Sequence, residues 1–269
     1  MAKRPAARRG KSTKSSSKTK SSSKPRLDQL LVARGLAETR SRAQALIMAG
    51  VVFSGETKLD KPGHQLAADA PLEVRGRDHP WVSRGGLKLD HALDEFKIDV
   101  AARTCIDVGA STGGFTDVLL SRGAAHVYAV DVGHGQLAWK LRQDERVTVM
   151  ERTNARALTA DLIPEPVDFI GCDASFIGLK TVLPAAMALA APGCILVALI
   201  KPQFEVGRDQ VGKKGVVRDP ALHEAVCADI RGWLDGLDGW TVLGLTESPI
   251  KGPEGNTEFL IAGEYRNFS

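Results

Sequence analysis

Aromatic side chains are scarce: eight Phe, four Trp and two Tyr make up 5% of 269 residues. Any nucleic-acid surface on such a chain rests on charge and backbone contacts more than on base stacking. Cysteine is sparse as well. Cys105, Cys172, Cys194 and Cys227 form no C-x-x-C pair, and each lies in an apolar run where it packs as a small hydrophobe. That excludes a disulfide framework, and no metal site is expected. Long apolar runs are missing too: the longest, Ala185 to Ile200, is broken by Pro192-Gly193 and is too short for a membrane span. Acidic residues are absent from the first 26 positions, which hold ten Lys or Arg but no apolar core of the kind a secretory signal needs. A cytoplasmic protein is the expectation, with no membrane partner.

The net charge of +4 therefore conceals a split, since residues 27–269 carry 26 basic against 32 acidic groups. The Lys/Ser-rich segment 1–25 reads as a disordered basic tail. A phosphate-neutralising arm and a plain solvated tail both fit it. From Arg26, two short helices are expected, one carrying Leu27, Leu30 and Leu31 on a single face, the next running from Ser41 through Met48. Strands follow at Val51-Val52-Phe53, near Leu59 and at Leu72–Val74. Residues 26–76 thus form a small α+β domain, 77–86 a linker, and 87–269 a large domain.

In the large domain the pattern alternates. Strands are expected at Cys105–Val108, His126–Asp131, Val147–Met150, Val167–Asp173, Cys194–Ile200, Trp240–Leu245 and Glu258–Ala262. Helices are expected at Gly114–Arg122, Gln136–Gln143, Leu179–Ala191 and Pro220–Leu237. Five successive β-α units imply an α/β fold with a doubly wound, Rossmann-like seven-stranded sheet, closed by an antiparallel hairpin at one edge.

The first of these strands runs into Asp107-Val-Gly109-Ala-Ser111-Thr-Gly113-Gly114-Phe115. A dinucleotide fingerprint would need glycine at 111, and a P-loop would need Gly-Lys-Ser/Thr; neither is present. A cofactor without pyrophosphate fits better, and S-adenosylmethionine is the candidate. Its amino acid end suits Asp107, the loop and the helix N-terminus. Asp131, at the tip of the second strand, suits the ribose hydroxyls, and Asn154 is a weaker candidate for the adenine side.

A parallel sheet presents the carboxyl ends of its strands at one rim. Asp173 and Lys201 each end a long apolar run, an antiparallel last strand starts Glu258 at the same rim, and Lys88 lies on the helix before the first strand. Together they suit methyl transfer to a hydroxyl, with Lys201 as general base. Burial and the neighbouring Lys88 favour a neutral Lys201, whereas Asp173 and Glu258 favour its charged form. The sequence leaves that contest open.

The motifs Val82-Ser-Arg-Gly-Gly-Leu-Lys-Leu89, Asp107–Thr116, Cys172-Asp-Ala-Ser-Phe-Ile177, Leu199-Ile-Lys-Pro-Gln-Phe-Glu205 and Gly255-Asn-Thr-Glu-Phe-Leu260 carry a resemblance. The chain resembles the FtsJ-like ribose 2′-O-methyltransferases, and within them the TlyA (hemolysin A) ribosomal RNA methyltransferases, from Arg26 to the C-terminus. The resemblance implies Lys88, Asp173, Lys201 and Glu258 as a catalytic tetrad, and ribosomal RNA, with cytidine as its target, or a ribosomal subunit as partner. The N-terminal module resembles the alpha-L RNA-binding fold through Arg26-Leu-Asp, Ser41-Arg-Ala and Lys61-Pro-Gly. Arg26, Arg40, Ser41, Arg42 and Lys61 are its candidate RNA contacts. In this family the linker couples RNA docking to cofactor binding, which points to Trp81 and Arg84; Trp81 also suits plain interdomain packing. The basic loop with Arg208, Lys213, Lys214 and Arg218 suits either an RNA-ordered segment or a solvated connection. A membrane-active hemolysin and a small-molecule methyltransferase are the rival functions, and a monomer is the expected state.

Overall fold

The structure is a computed structural model that describes residues 24–266, apart from 38, 49, 75–78, 213–214 and 253–254. The basic tail lies outside the described residues up to position 23, as do Arg77 and Asp78 of the linker and Lys213 and Lys214 of the basic loop. The chain divides into two units, Met1–Arg77 and Asp78–Ser269.

In the first unit, helices α1 (Leu27–Ala33) and α2 (Arg40–Met48) pack together. They accompany an antiparallel sheet of β1 (Val52–Ser54), β2 (Thr57–Lys58) and β3 (Glu73–Val74), in the order β2-β1-β3. Its small core is Leu27, Leu31, Ala43, Ile47 and Val52, all fully buried. The i, i+4 spacing of Leu27 and Leu31 puts both on the face that meets α2.

The second unit opens with α3 (Gly85–Glu95) and continues through β4 (Thr104–Val108), α4 (Gly114–Ser121), β5 (His126–Val130), α5 (Trp139–Arg142) and β6 (Val147–Met150). Then come β7 (Val167–Cys172), α6 (Leu179–Val182), α7 (Pro184–Met187), β8 (Ala190–Ile200), α8 (Pro202–Glu205), α9 (Pro220–Asp235), β9 (Trp240–Glu247) and β10 (Phe259–Tyr265). The sheet order is β6-β5-β4-β7-β8-β10-β9, with β10 antiparallel to both neighbours. Side chains alternate between the two faces, and both faces of the central strands are covered, so a strand such as β8 is apolar on both. On β8, Leu196, Ala198 and Ile200 enter one core while Ile195, Val197 and Leu199 enter the other. The chain winds outward from β4 to β6 and then returns to β7 on the other side of β4. The β4/β7 boundary is therefore the switch point, and a crevice opens at its carboxyl rim.

Three expectations need correction. The helix expected over 136–143 is only α5, because Ala138 is extended and gives its N–H to Thr112 O at 3.1 Å. The helix expected over 179–191 is split at Pro184, which has no N–H to continue the ladder, and β8 starts earlier, at Ala190. Between β6 and β7 the crossover holds a 3-10 turn at Ala155–Ala157 and no α-helix. Pro164 and Pro166 stand just before β7, where they resist one.

Candidate active site

The loop after β4 is shaped by close approach. Gly109 has φ +82°, and a Cβ there would come within 2.9 Å of Ala174 Cα on the loop after β7. Only glycine meets both conditions. Asp107 is fully buried, and its Oδ2 accepts from Thr116 N (2.9 Å) and Thr116 Oγ1 (2.7 Å). Its Oδ1 is buried with no hydrogen-bond partner. Burial pushes this carboxyl up to about 7, against the pull of the two Thr116 bonds. Asp131 Oδ2 accepts from Ser111 N at 2.8 Å and Oδ1 from Gly133 N at 2.6 Å, so this carboxylate braces the loop.

Asp107, Gly109, Ser111, Gly114 and Phe115 line a cavity of about 350 Å³, together with Ser83, Arg84, Lys88, Asp173, Ser175, Lys201 and Lys251. Gly113 stands just behind, as the left-handed N-cap of α4. Asn154 is not brought here. It is exposed and caps the 3-10 turn, its Oδ1 accepting from Arg156 N at 3.1 Å. That bond uses one lone pair of Oδ1 and leaves the side-chain NH2 to other partners.

The four charged residues do meet. Lys201 Nζ lies 2.6 Å from Asp173 Oδ1, Lys88 Nζ lies 3.6 Å from Asp173 Oδ2, and Lys88 Nζ lies 2.7 Å from Glu258 Oε2. They form a chain of alternating sign with no net charge. Lys88 (7% exposed), Lys201 (5%) and Glu258 (0%) are all buried, which isolated charges would resist by several kcal/mol each. Phe259 pairs with Ile200 in the sheet register, which sets Glu258 beside Lys201 at the rim. Lys201 Nζ has two further acceptors, Asp173 O at 3.2 Å and Ser175 Oγ at 3.0 Å. Three acceptors match the three N–H bonds of an ammonium. Glu258 Oε1 is buried without a partner, and Gly252 packs so closely on it that a Cβ would collide.

Sequence reasoning missed Ser175, Lys251 and Gly252, which have no period or strand end to reveal them. It also missed Phe176, which sits three residues past Asp173, is 90% exposed and has φ +66°. A left-handed backbone costs a non-glycine residue roughly 1–2 kcal/mol.

The linker residues enter the site from the side. Trp81 lies on the backbone of Gly86, where a Cβ would strike its ring, and its Nε1 is buried without a partner. Val82 N donates to Asp117 Oδ2 at 2.8 Å, and Ser83 Oγ abuts Gly114. Arg84 is exposed on the cavity wall. The linker thus rests on α4, the helix that the glycine-rich loop opens.

In the first unit, the basic face is held by an acid. Asp28 is fully buried and accepts from Arg26 Nε (3.0 Å), Arg40 Nε (2.9 Å) and Gln44 Nε2 (3.1 Å). These donors, Arg26 foremost, keep its carboxyl well below the usual range. The Lys61-Pro-Gly turn lies against the same group, since a Cβ on Gly63 would be 3.2 Å from the Arg26 guanidinium. Lys61, Ser41 and Arg42 are exposed, and Arg42 N caps on Thr39 Oγ1 at 3.1 Å. Two of the expected RNA contacts, Arg26 and Arg40, are therefore partly neutralised within the fold.

Among the described residues no group of three or more His, Cys, Asp or Glu could hold a metal, and no helix is long and apolar enough to cross a membrane. The four cysteines are free and buried.

Residues 81–265 match the FtsJ-like methyltransferase family, and residues 25–70 match the S4 domain. YqxC of Bacillus subtilis, a candidate rRNA methyltransferase by its name, is 54% identical over 89% of this chain and 85% of its own. The Mycobacterium tuberculosis protein named 16S/23S rRNA (cytidine-2'-O)-methyltransferase TlyA is 50% identical, over 88% of each chain. A solved structure of a candidate hemolysin from Streptococcus thermophilus, 45% identical, superposes with a TM-score of 0.71 over 91% of this chain and 90% of its own.

Proposed function

Because the chain belongs to the FtsJ-like methyltransferase family and carries an S4 domain ahead of that fold, we propose that it methylates a ribose 2′-hydroxyl of ribosomal RNA, with S-adenosylmethionine as donor. Cytidine is the nucleoside named for the M. tuberculosis relative, and the reading takes it as the target. The reading carries with it a cytoplasmic site of action, where ribosomal RNA is.

The observation that carries the reading is the buried chain Lys201–Asp173–Lys88–Glu258, whose first three members line a cavity together with Asp107, a carboxylate with one unpartnered oxygen, Oδ1. That oxygen is the kind of acceptor an α-ammonium group satisfies, so the residues present fit the cofactor. Asp107 and the Gly109–Gly113 loop would hold its amino acid end. Asp131, which still has lone pairs free beyond its two amide bonds, would hold the ribose. When bound, S-adenosylmethionine supplies a methyl group on a sulfonium, already a good leaving group.

The protein then has two tasks: placing the hydroxyl and receiving its proton. Placement is the larger, since well-oriented reactants can gain about 7–11 kcal/mol over free encounter. For this step the Lys201 ammonium of the resting chain has first given up one proton, and the resulting free amine accepts the hydroxyl proton at Nζ. The ammonium so formed is stabilised by Asp173 Oδ1 at 2.6 Å and Ser175 Oγ at 3.0 Å. Lys88 engages the other carboxylate oxygen of Asp173, and Glu258 fixes Lys88 in turn. Asp173 is thereby held in place between the two lysines while the proton moves beside it. Exposed Arg84 and Lys251 at the cavity wall suit the phosphates flanking the target, and Phe176 suits stacking on its base.

The test is methyl transfer from labelled S-adenosylmethionine to isolated ribosomal subunits. Wild-type protein labels the RNA, whereas Lys201→Ala retains cofactor binding by calorimetry and loses transfer by about 10²-fold or more. Undiminished transfer by Lys201→Ala would remove Lys201 from the role of base.

A further inference from the structure

We propose that Glu205, acting with Phe204, is a positioning residue that holds the Phe176 loop at the height of the target nucleotide; the proposal rests on the RNA-methyltransferase reading above. Glu205 touches none of the four catalytic side chains through any bond seen here. Its carboxylate instead reaches across from the segment after β8 to the loop after β7. Oε1 accepts from Leu179 N at 2.9 Å, and Oε2 sits so near Gly178 that a Cβ there would be 2.9 Å away. Phe204, its neighbour, meets Phe176 with ring centroids 5.1 Å apart and planes at 47°.

Three features of this arrangement point to function rather than to folding. First, the carboxyl is half-buried, and burial pushes it above the usual carboxylate range despite the Leu179 bond and nearby Lys180, with Asp229 opposing them. A carboxylate kept where solvation is poor contributes through geometry more than through stability. Second, it bridges two neighbouring segments: α8 follows Lys201, the stretch from Asp173 ends at Gly178, and one hydrogen bond with one ring contact ties α8 to the far end of that stretch. Third, what the clamp holds is an exposed, left-handed Phe176, a residue the core does not need. A planar ring beside the rim, three residues past Asp173, is placed to stack on an unstacked base whose ribose reaches Lys201.

The experiment is a double-mutant cycle on the full chain, using ribosomal subunits as substrate and methyl incorporation as readout. Phe176→Ala is expected to raise KM for subunits about tenfold, the size of one lost stacking partner. Glu205→Ala is expected to raise it about threefold to tenfold, with kcat and S-adenosylhomocysteine affinity little changed. The double variant should be no worse than Phe176→Ala alone, and Glu205→Gln, which keeps an acceptor oxygen, should restore most of the loss. Additive effects, or a Glu205→Ala defect in kcat or cofactor affinity, overturn the proposal and leave the reading of Phe176 intact. No effect of Phe176→Ala on KM overturns both. Hydrogen exchange across residues 174–179 tests the clamp without any substrate. Glu205→Ala should speed exchange there and Glu205→Gln should not, and unchanged exchange overturns the clamp even if the wild type methylates nothing.

Discussion

Replacing Lys88 by Met removes one cation from the middle of a four-charge chain. Glu258, fully buried, loses its 2.7 Å partner, and its other oxygen has none to begin with. Asp173 keeps Lys201 at 2.6 Å but loses the second cation. Removing one member of a buried pair typically costs about 3–5 kcal/mol, because the remaining charge stays desolvated. Adding Glu258→Leu discards that stranded charge, so the double variant should recover most of the lost stability. It should recover no activity, because Asp173 would still lack its second anchor. Urea unfolding followed by circular dichroism reads the first quantity, and methyl transfer to ribosomal subunits reads the second. A Lys88→Met protein that unfolds like wild type, or a double variant as unstable as the single one, would refute the account of the chain as mutually neutralising buried charges.

Asp107 makes stability depend on pH in a stated direction. Its folded-state carboxyl lies near 7 against an ordinary value of 3.8, so its contribution is fully present below about 3.8 and is lost as pH rises through about 7. Asp107→Asn should remove that part of the fall in melting temperature between pH 4 and 8 while weakening cofactor binding in calorimetry. Identical pH profiles for the two proteins would contradict it. In the first unit, Asp28→Asn should release Arg26 and Arg40 from their shared carboxylate. The expected result is a severalfold higher KM for ribosomal subunits with cofactor affinity unchanged, and an unaltered KM would mean the arginine pair is not an RNA contact.

The fold was legible where a pattern repeated. Seven alternating apolar runs gave the sheet, and the two strands without an intervening helix gave β9 and β10. Asp173 and Lys201 could be read because each ends such a run, and Glu258 because an antiparallel strand must begin at the same rim. What was illegible depends on contacts without a period. Ser175 and Phe176 lie on a loop whose shape follows from Gly109 meeting Ala174 across the switch point. Glu205 reaches Leu179 N through one bond spanning 26 residues. Asn154 shows the same limit: a loop amide looks alike in sequence whether it caps a turn or faces a ligand, and its Oδ1 accepts from Arg156 N. Arg26 and Arg40 looked like free cations because nothing in the spacing says that Asp28 is buried beneath them. Pro184, with no N–H to donate, is the sequence mark of the break between α6 and α7.

The central claim is that this site methylates a ribose oxygen. The direct measurement is mass spectrometry of nucleosides released from ribosomal RNA after incubation with the protein and methyl-labelled S-adenosylmethionine. The account predicts a nucleoside, cytidine by the reading above, whose added methyl group fragments with the sugar. A methyl group that fragments with the base, or ribosomal RNA left unlabelled by a protein that binds the cofactor, would contradict it.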